Sequence, residues 1–214
     1  MAITLDGSNG ITTPDLESSG PVIGTTGTFS GNVSGVAGTF SGAVQASGVA
    51  TNLYPLVSGT AVTCSGQTSI NFTDIPSWVK RITVMFSGVS TSGTSAFLIQ
   101  LGDSGGVEIT GYTSSASRIQ TTVLSQNSTA GFILLGGAAT AASTYSASYS
   151  ISLLSTNLWC LQGIMSDTGN TTTQIAAGSK TLSDTLTQVR ITTVNGTDTF
   201  DTTPSAGTIN IMYE

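Results

Sequence analysis

The chain contains no histidine. The side chain used most often as a general base near neutral pH, and most often as a metal ligand, is therefore missing altogether. Charge is almost as scarce. Five Lys and Arg against 11 Asp and Glu make up 7% of the 214 residues, where an ordinary domain carries about 25%. With a net charge of −6 and so few cations there is no basic face for phosphate, and a nucleic-acid partner is not expected. The two cysteines, Cys64 and Cys160, do not make a pair at ligand spacing, and without histidine they offer zinc no site. The scattered acids show no calcium-loop pattern, so no metal or other cofactor is expected. Each cysteine lies among apolar neighbours, in "AVTCS" and "LWCLQ", which predicts free buried thiols. No apolar run nears the roughly 20 residues of a membrane span. The opening "MAITLDGSNG" lacks the basic and apolar regions of a signal peptide, so synthesis in a cytoplasm is expected.

The missing imidazole also decides the one catalytic-looking string. "LGDSGG", residues 101–106, is similar to the Gly-Asp-Ser-Gly-Gly around the nucleophile of trypsin-like serine proteases. Ser104 has no histidine to take its proton, and nothing in the sequence ties Lys80 or Lys180 to it. The expectation is a turn, with Gly102, Gly105 and Gly106 supplying positive φ and Asp103 and Ser104 bonding nearby backbone. Glycan hydrolysis needs two carboxylates flanking the bond, and Asp198 with Asp201 in "GTDTFDTT" is the only close pair of acids in a plausible loop. No enzymatic activity is expected.

What the chain does have is 26 glycines and an abundance of Ser, Thr, Val and Ile. These favour strands and tight turns over helices, so the fold class is all-β. Two regions differ. Residues 21–52 hold a repeat in which "GTFSGNVSGVA" from Gly27 is followed by "GTFSGAVQASG" from Gly38. Phe29, Val33, Val36, Phe40 and Val44 are spaced like a coiled-coil seam. The glycines between them would each cost about 1 kcal/mol in a helix, which favours extended pieces instead. Such a repeat has too few apolar side chains to offset an ordering entropy of about 1–2 kcal/mol per residue. It must pack on something or stay disordered; the candidates to pack on are copies of itself, three chains wound together so that Phe29 and Phe40 meet their equivalents, or its own globular domain.

From residue 53 to 214 the pattern becomes period-2 stretches between Gly, Asn, Asp and Ser turns. In "KRITVMFSG", Ile82, Val84 and Phe86 share a face. In "TYSASYSISLL", Tyr145, Ala147, Tyr149, Ile151 and Leu153 alternate with serines. Further strands are predicted in "AFLIQLGD", "GFILLGG", "LWCLQGIM", "TQVRITTVNG" and "TINIMYE". About eight or nine strands so spaced imply an antiparallel β-sandwich or jelly roll. Long stretches carry none of the charge that normally solvates faces and edges. Faces of Ser and Thr suit close packing between subunits, or contact with sugar hydroxyls.

The opening "MAITLDGSNGITTPDL" and the repeat "GTFSGNVSGVAGTFSG" resemble the start and shaft of bacteriophage fibre proteins. The stretches "FTDIPSWVKRITVMFSGVSTSGTSAFLIQLGDSGGVEITGY" and "VRITTVNGTDTFDTTPSAGTINIMYE" resemble a terminal domain of phage and prophage fibres. The resemblance implies a homotrimeric, non-enzymatic virion protein, made in the bacterial host cytoplasm. It would be anchored through residues 1–20 to other tail or capsid proteins and point residues 53–214 outward towards a host-surface saccharide or protein. An arm of this length implies a short tail fibre, or a head fibre or decoration that cements a capsid without touching a host. Leu5, Ile11 and Leu16 are the candidate anchors, or strand-face residues within the trimer. Trp78, Tyr112 and Trp159 have the Ser, Thr and Asn neighbours of a sugar-binding surface, or else fill the core.

Overall fold

The computed structural model describes residues 56–204 and 206–214. The anchor segment 1–20 with Leu5, Ile11 and Leu16, and the repeat 21–52 with Phe29, Val33, Val36, Phe40 and Val44, lie outside the described residues.

The described chain forms strands and no helix. In order these are β1 (Val57–Ser58), β2 (Val62–Thr63), β3 (Ile70–Phe72), β4 (Arg81–Thr91), β5 (Phe97–Asp103), β6 (Gly106–Val107), β7 (Tyr112–Ile119) and β8 (Leu124–Ser128). They continue with β9 (Phe132–Ile133), β10 (Tyr145–Ser155), β11 (Leu158–Asp167), β12 (Thr172–Thr181), β13 (Gln188–Thr193), β14 (Phe200–Asp201) and β15 (Thr208–Tyr213). A ten-stranded sheet runs β1-β15-β4-β10-β11-β12-β7-β8, with β2 against β15 and β14 against β4. A five-stranded sheet runs β3-β13-β5-β6, with β9 against β5. Every pairing is antiparallel.

The alternations read in "KRITVMFSG" and "TYSASYSISLL" are β4 and β10: Ile82, Val84, Phe86, Tyr145, Tyr149 and Ile151 are buried, while Ala147 and Leu153 pack partly buried against them. Inner faces of the two sheets meet around Phe97 of β5. Its ring lies edge-on to Phe86 at 5.9 Å and Tyr145 at 5.0 Å, and stacks on Phe200 at 6.0 Å. Tyr112 of β7 meets Phe132 of β9 edge-on at 5.0 Å. Polar bonds also cross between the sheets: the Ile133 N–H donates to Ser114 Oγ at 2.9 Å, and the Leu101 N–H to the Tyr112 hydroxyl at 2.7 Å.

Two departures from the sequence reading have physical causes. There are more strands than eight or nine, because β1, β6 and β14 are two-residue pieces, too short to show a period. Strands β7 ("YTSSASRI") and β12 ("TTQIAAGSKT") are missing from that reading because Ser, Ala and Gly carry little β-propensity. Both are held by long neighbouring ladders instead.

Candidate functional site

The "LGDSGG" stretch is a turn between β5 and β6. Asp103 Oδ1 accepts the Gly105 N–H at 2.8 Å, as expected, and Ser104 stands exposed at the tip. The glycines act differently from the expectation. Only Gly106 has a positive φ, 118°. Gly102 is needed for close approach, since a Cβ there would lie 2.5 Å from the Gly106 carbonyl oxygen. Lys180 is committed elsewhere: its ammonium pairs with Glu108, donates to the Thr110 carbonyl at 2.9 Å and sits 5.2 Å from the centre of the Tyr112 ring. Ser183 Oγ lies 2.6 Å from Asp103 Oδ2 and 2.9 Å from Glu108 Oε1. The Ser183 hydroxyl and the Gly105 amide hold the Asp103 carboxyl below its usual range. Burial pushes Glu108 up, but bonds from Lys180 and Ser183 outweigh it and leave Glu108 low as well. This cluster clasps loops together; it does not activate Ser104.

The second acid pair is also structural. Asp198 accepts the Ser95 N–H at 2.8 Å and an Asn195 Nδ2–H at 2.6 Å, tying its own loop to the β4–β5 loop. Asp201 lies in β14, with its Oδ1 buried. Its charge adds to the effect of burial on Cys64, whose thiol is pushed up to about 11. Both cysteines are free, but Cys160 is only half-buried, because its position on β11 alternates outward from Trp159 and Leu161. Among the described residues no three His, Cys, Asp or Glu side chains cluster as metal ligands.

The widest feature is the outer face of β10, β11, β12, β7 and β8. These strands contain only Arg118, Asp167 and Lys180 as charged residues, and all three point inward, 8%, 1% and 5% exposed. Arg118 donates to the Ala138 carbonyl at 2.6 Å and lies 3.9 Å from Asp167, which accepts two bonds from Asn170. The outward side is therefore free of charge. One row across it reads Met85, Ser148, Ile164, Ile175, Ser117 and Ser125 by register, with Ile164 58% and Ile175 44% exposed. A depression of about 560 Å³ between β8, β7 and β12 is walled by Ser115, Asn127, Ala177 and Ser179. The sequence reading noted long uncharged stretches with Ser and Thr faces but not which strands form this face, although the three charges share the parity of Tyr112, Trp159 and Ala176 along their strands.

A second feature is a cleft of about 380 Å³ at the β10–β11 turn, closed by Ser77, Val79 and Lys80 and by Thr185 and Leu186. Asn157 turns the chain there with φ 57°, a conformation Asn tolerates better than most residues, and its carbonyl accepts the Leu182 N–H at 2.9 Å. The Leu153 N–H donates to the Lys80 carbonyl at 2.8 Å, tying the cleft's two walls. Trp159 lines it, 3% exposed, with no hydrogen-bond partner for its indole N–H. The structure does not bring the three aromatic candidates together. Tyr112 is 2% exposed and its hydroxyl is used within the core, so its ring offers no face for stacking. Trp78 is partly buried, tilted against Tyr213 at 5.9 Å.

Comparison of the chain with protein-family models, with curated proteins and with solved structures finds no match.

Proposed function

We propose that the protein is a non-enzymatic structural protein of a bacteriophage particle. In this reading it is a short trimeric fibre, anchored by residues 1–20, wound over residues 21–52, and presenting residues 53–214 as a β-sandwich or jelly roll for attachment to the host surface. The observation that carries it is the charge-free outer face. Strands about 4.8 Å apart, rising about 3.4 Å per residue, spread that face and its continuation over β4 and β15 across roughly 1,000 Å², with the Arg81–Glu214 pair as the charges at one end of the continuation. A stable contact needs about 800 Å² from each partner. Around a three-fold axis different patches of the charge-free face meet without like-charge repulsion and without desolvating an ion. The resemblance of the opening and of the glycine repeat to phage fibres supports the same reading.

The alternative is a capsid decoration or head fibre that cements the shell without recognising a host, and the neutral face suits burial between shell subunits equally. Two measurements test the proposal. The native mass of the full chain should be three times 21.6 kDa; a stable monomer would sink the trimer. Imaging a C-terminal label on intact particles should place it at the tail. Label spread over the head would replace attachment with decoration.

A further inference from the structure

We infer that β8 of one copy pairs strand to strand with the β1–β2 edge of the next copy, joining three ten-stranded sheets into a closed ring; this rests on the trimer proposed above. Among the described residues β8 pairs only with β7, at one end of the ten-stranded sheet, and β1 and β2 pair only with β15 at the other. An edge strand directs the N–H and C=O of alternate residues away from its sheet, and proteins that stay apart blunt such edges with Lys, with Pro or by keeping them very short. Strand β8, "LSQNS", has five residues and contains neither Lys nor Pro. No charged side chain occurs between Ile119 and Ser166, the stretch that contains β8, or between Leu56 and Thr73, which contains β1 and β2. Exposed apolar side chains stand beside both edges: Ile119, Val123 and Leu124 at β8, and Leu56 before β1.

Symmetry, direction and length select the partner. Around a three-fold axis unlike edges meet, so β8 cannot take β8 of a neighbour. The path from β1 to β8 holds an even number of antiparallel strands, so β8 runs opposite to β1. Rotation about an axis along the strands keeps their direction, and the joint between copies is therefore antiparallel like every other pairing. Both edges also cover the same stretch of the sheet. By register, the row that starts at Val57 ends at Ser128, and the row that starts at Val62 ends at Leu124. The edges of the five-stranded sheet suit a neutral partner less well. Arg190 is bonded to Asn71 of β3 and Asp74 follows that strand, Glu108 with its Lys180 partner follows β6, and β9 is buried. Turned towards the common axis, the three neutral faces then take the exposed Ile164 and Ile175 out of water.

The test traps the joint in the full-length chain. Ser58 and Asn127 are both exposed and end the same row, seven strand spacings or about 34 Å apart along one sheet. A disulfide between these positions therefore links two chains and cannot form within one. Under a mild oxidant, Ser58→Cys with Asn127→Cys should give covalent dimers and trimers on a denaturing gel, and Ser58→Cys with Ser125→Cys covers a two-residue stagger. Both are made with Cys160→Ser, which removes the half-buried native thiol; Cys64 is fully buried. Neither single variant should cross-link, and linkage by Asn127→Cys alone would show β8 meeting β8 and overturn the inference. Hydrogen exchange on the native trimer supplies a reading that no register affects. With strands on both sides every amide of β8 is slow, whereas with β7 alone alternate amides exchange about tenfold faster or more. Fast alternate amides would overturn the inference, and slow amides with neither pair cross-linked would place a different strand on β8 and overturn it too. A stable monomer by mass sinks the fibre reading itself, whereas any of these results in a trimer sinks the edge contact alone.

Discussion

Across β4, β5 and β13 the buried apolar positions are Ile82, Val84, Phe86, Val89, Phe97, Leu98, Ile99, Leu101, Val189 and Ile191, with Ser90, Thr91, Gln100, Asp103, Thr192 and Thr193 as buried polar ones; across β7 and β12, Tyr112 is the large ring among Ser114, Ala116, Arg118, Gln174, Ala176 and Lys180. The first group is held by apolar area removed from water, at about 25 cal/mol per Å². In the second, small residues let backbones approach and polar side chains bond across the core. Ser114 Oγ takes the Ile133 N–H at 2.9 Å, and Gln174 Oε1 takes the Gly136 N–H at 3.1 Å. The contrast teaches that one fold can combine a strongly driven region, shared by both sheets, with a region whose stability depends on matched geometry. It also explains the neutral outer face: charges placed on the second half were turned inward, where each has a partner.

The sharpest way to break the first half is Phe97→Ala. The ring is fully buried and touches three other aromatics, so the loss should be about 3–5 kcal/mol, read from urea unfolding. A loss near 1 kcal/mol would mean the surrounding rings collapse into the space. In the second half, Gly178→Val sets propensity against packing. Valine favours strands, yet a Cβ here would lie 2.5 Å from the Thr113 carbonyl oxygen and 3.0 Å from Phe132. Destabilisation of about 1–3 kcal/mol is expected, and any gain in thermal stability would refute the close approach. Tyr112→Phe should cost about 1–3 kcal/mol, because it leaves the buried Leu101 N–H without its acceptor; hydrogen exchange at Leu101 should quicken.

Acid offers a smaller, graded test of the clasp beside "LGDSGG". Asp103 and Glu108 are both lowered in the fold, while unfolded Asp and Glu titrate near about 3.9 and 4.3. On acidification the unfolded chain takes up protons first, so their stabilisation is complete above about pH 5 and is lost as pH falls through the folded values. Melting temperature should fall along that limb, and Ser183→Ala should flatten the fall. A smaller effect on stability belongs to the outer face: Ile164→Lys with Ile175→Lys should lower unfolding free energy by about 1 kcal/mol, because the two positions face each other across β11 and β12. The same double variant should separate the chains on a sizing column. Association that survives it would place the contact elsewhere.

The legible parts were those where one side chain in two is large and apolar. Strands β4 and β10 could be read directly, and β5 as a strand though not as one buried along its whole length. The turn at 101–106 was legible from residue type, but which glycine needs its φ and which needs its space was not, because that depends on the carbonyl opposite Gly102. Cys64 and Cys160 looked alike in sequence; only the parity of β11 separates them. The cleft was illegible for the same reason, since it is assembled from Ser77, Val79 and Lys80, from the β10–β11 turn with Trp159, and from Thr185 and Leu186.

Composition by itself determined that the described fold is all-β and that Ser104 has no imidazole beside it, because residue types set backbone preference and available chemistry without reference to neighbours. Tertiary structure decided what no local window contains: that Arg118, Asp167 and Lys180 face the core and leave a neutral surface, and that Lys80 and the Trp159 indole border one cleft. Both follow from which strands pair and in what register, and a register is chosen by the sum of contacts across the whole sheet.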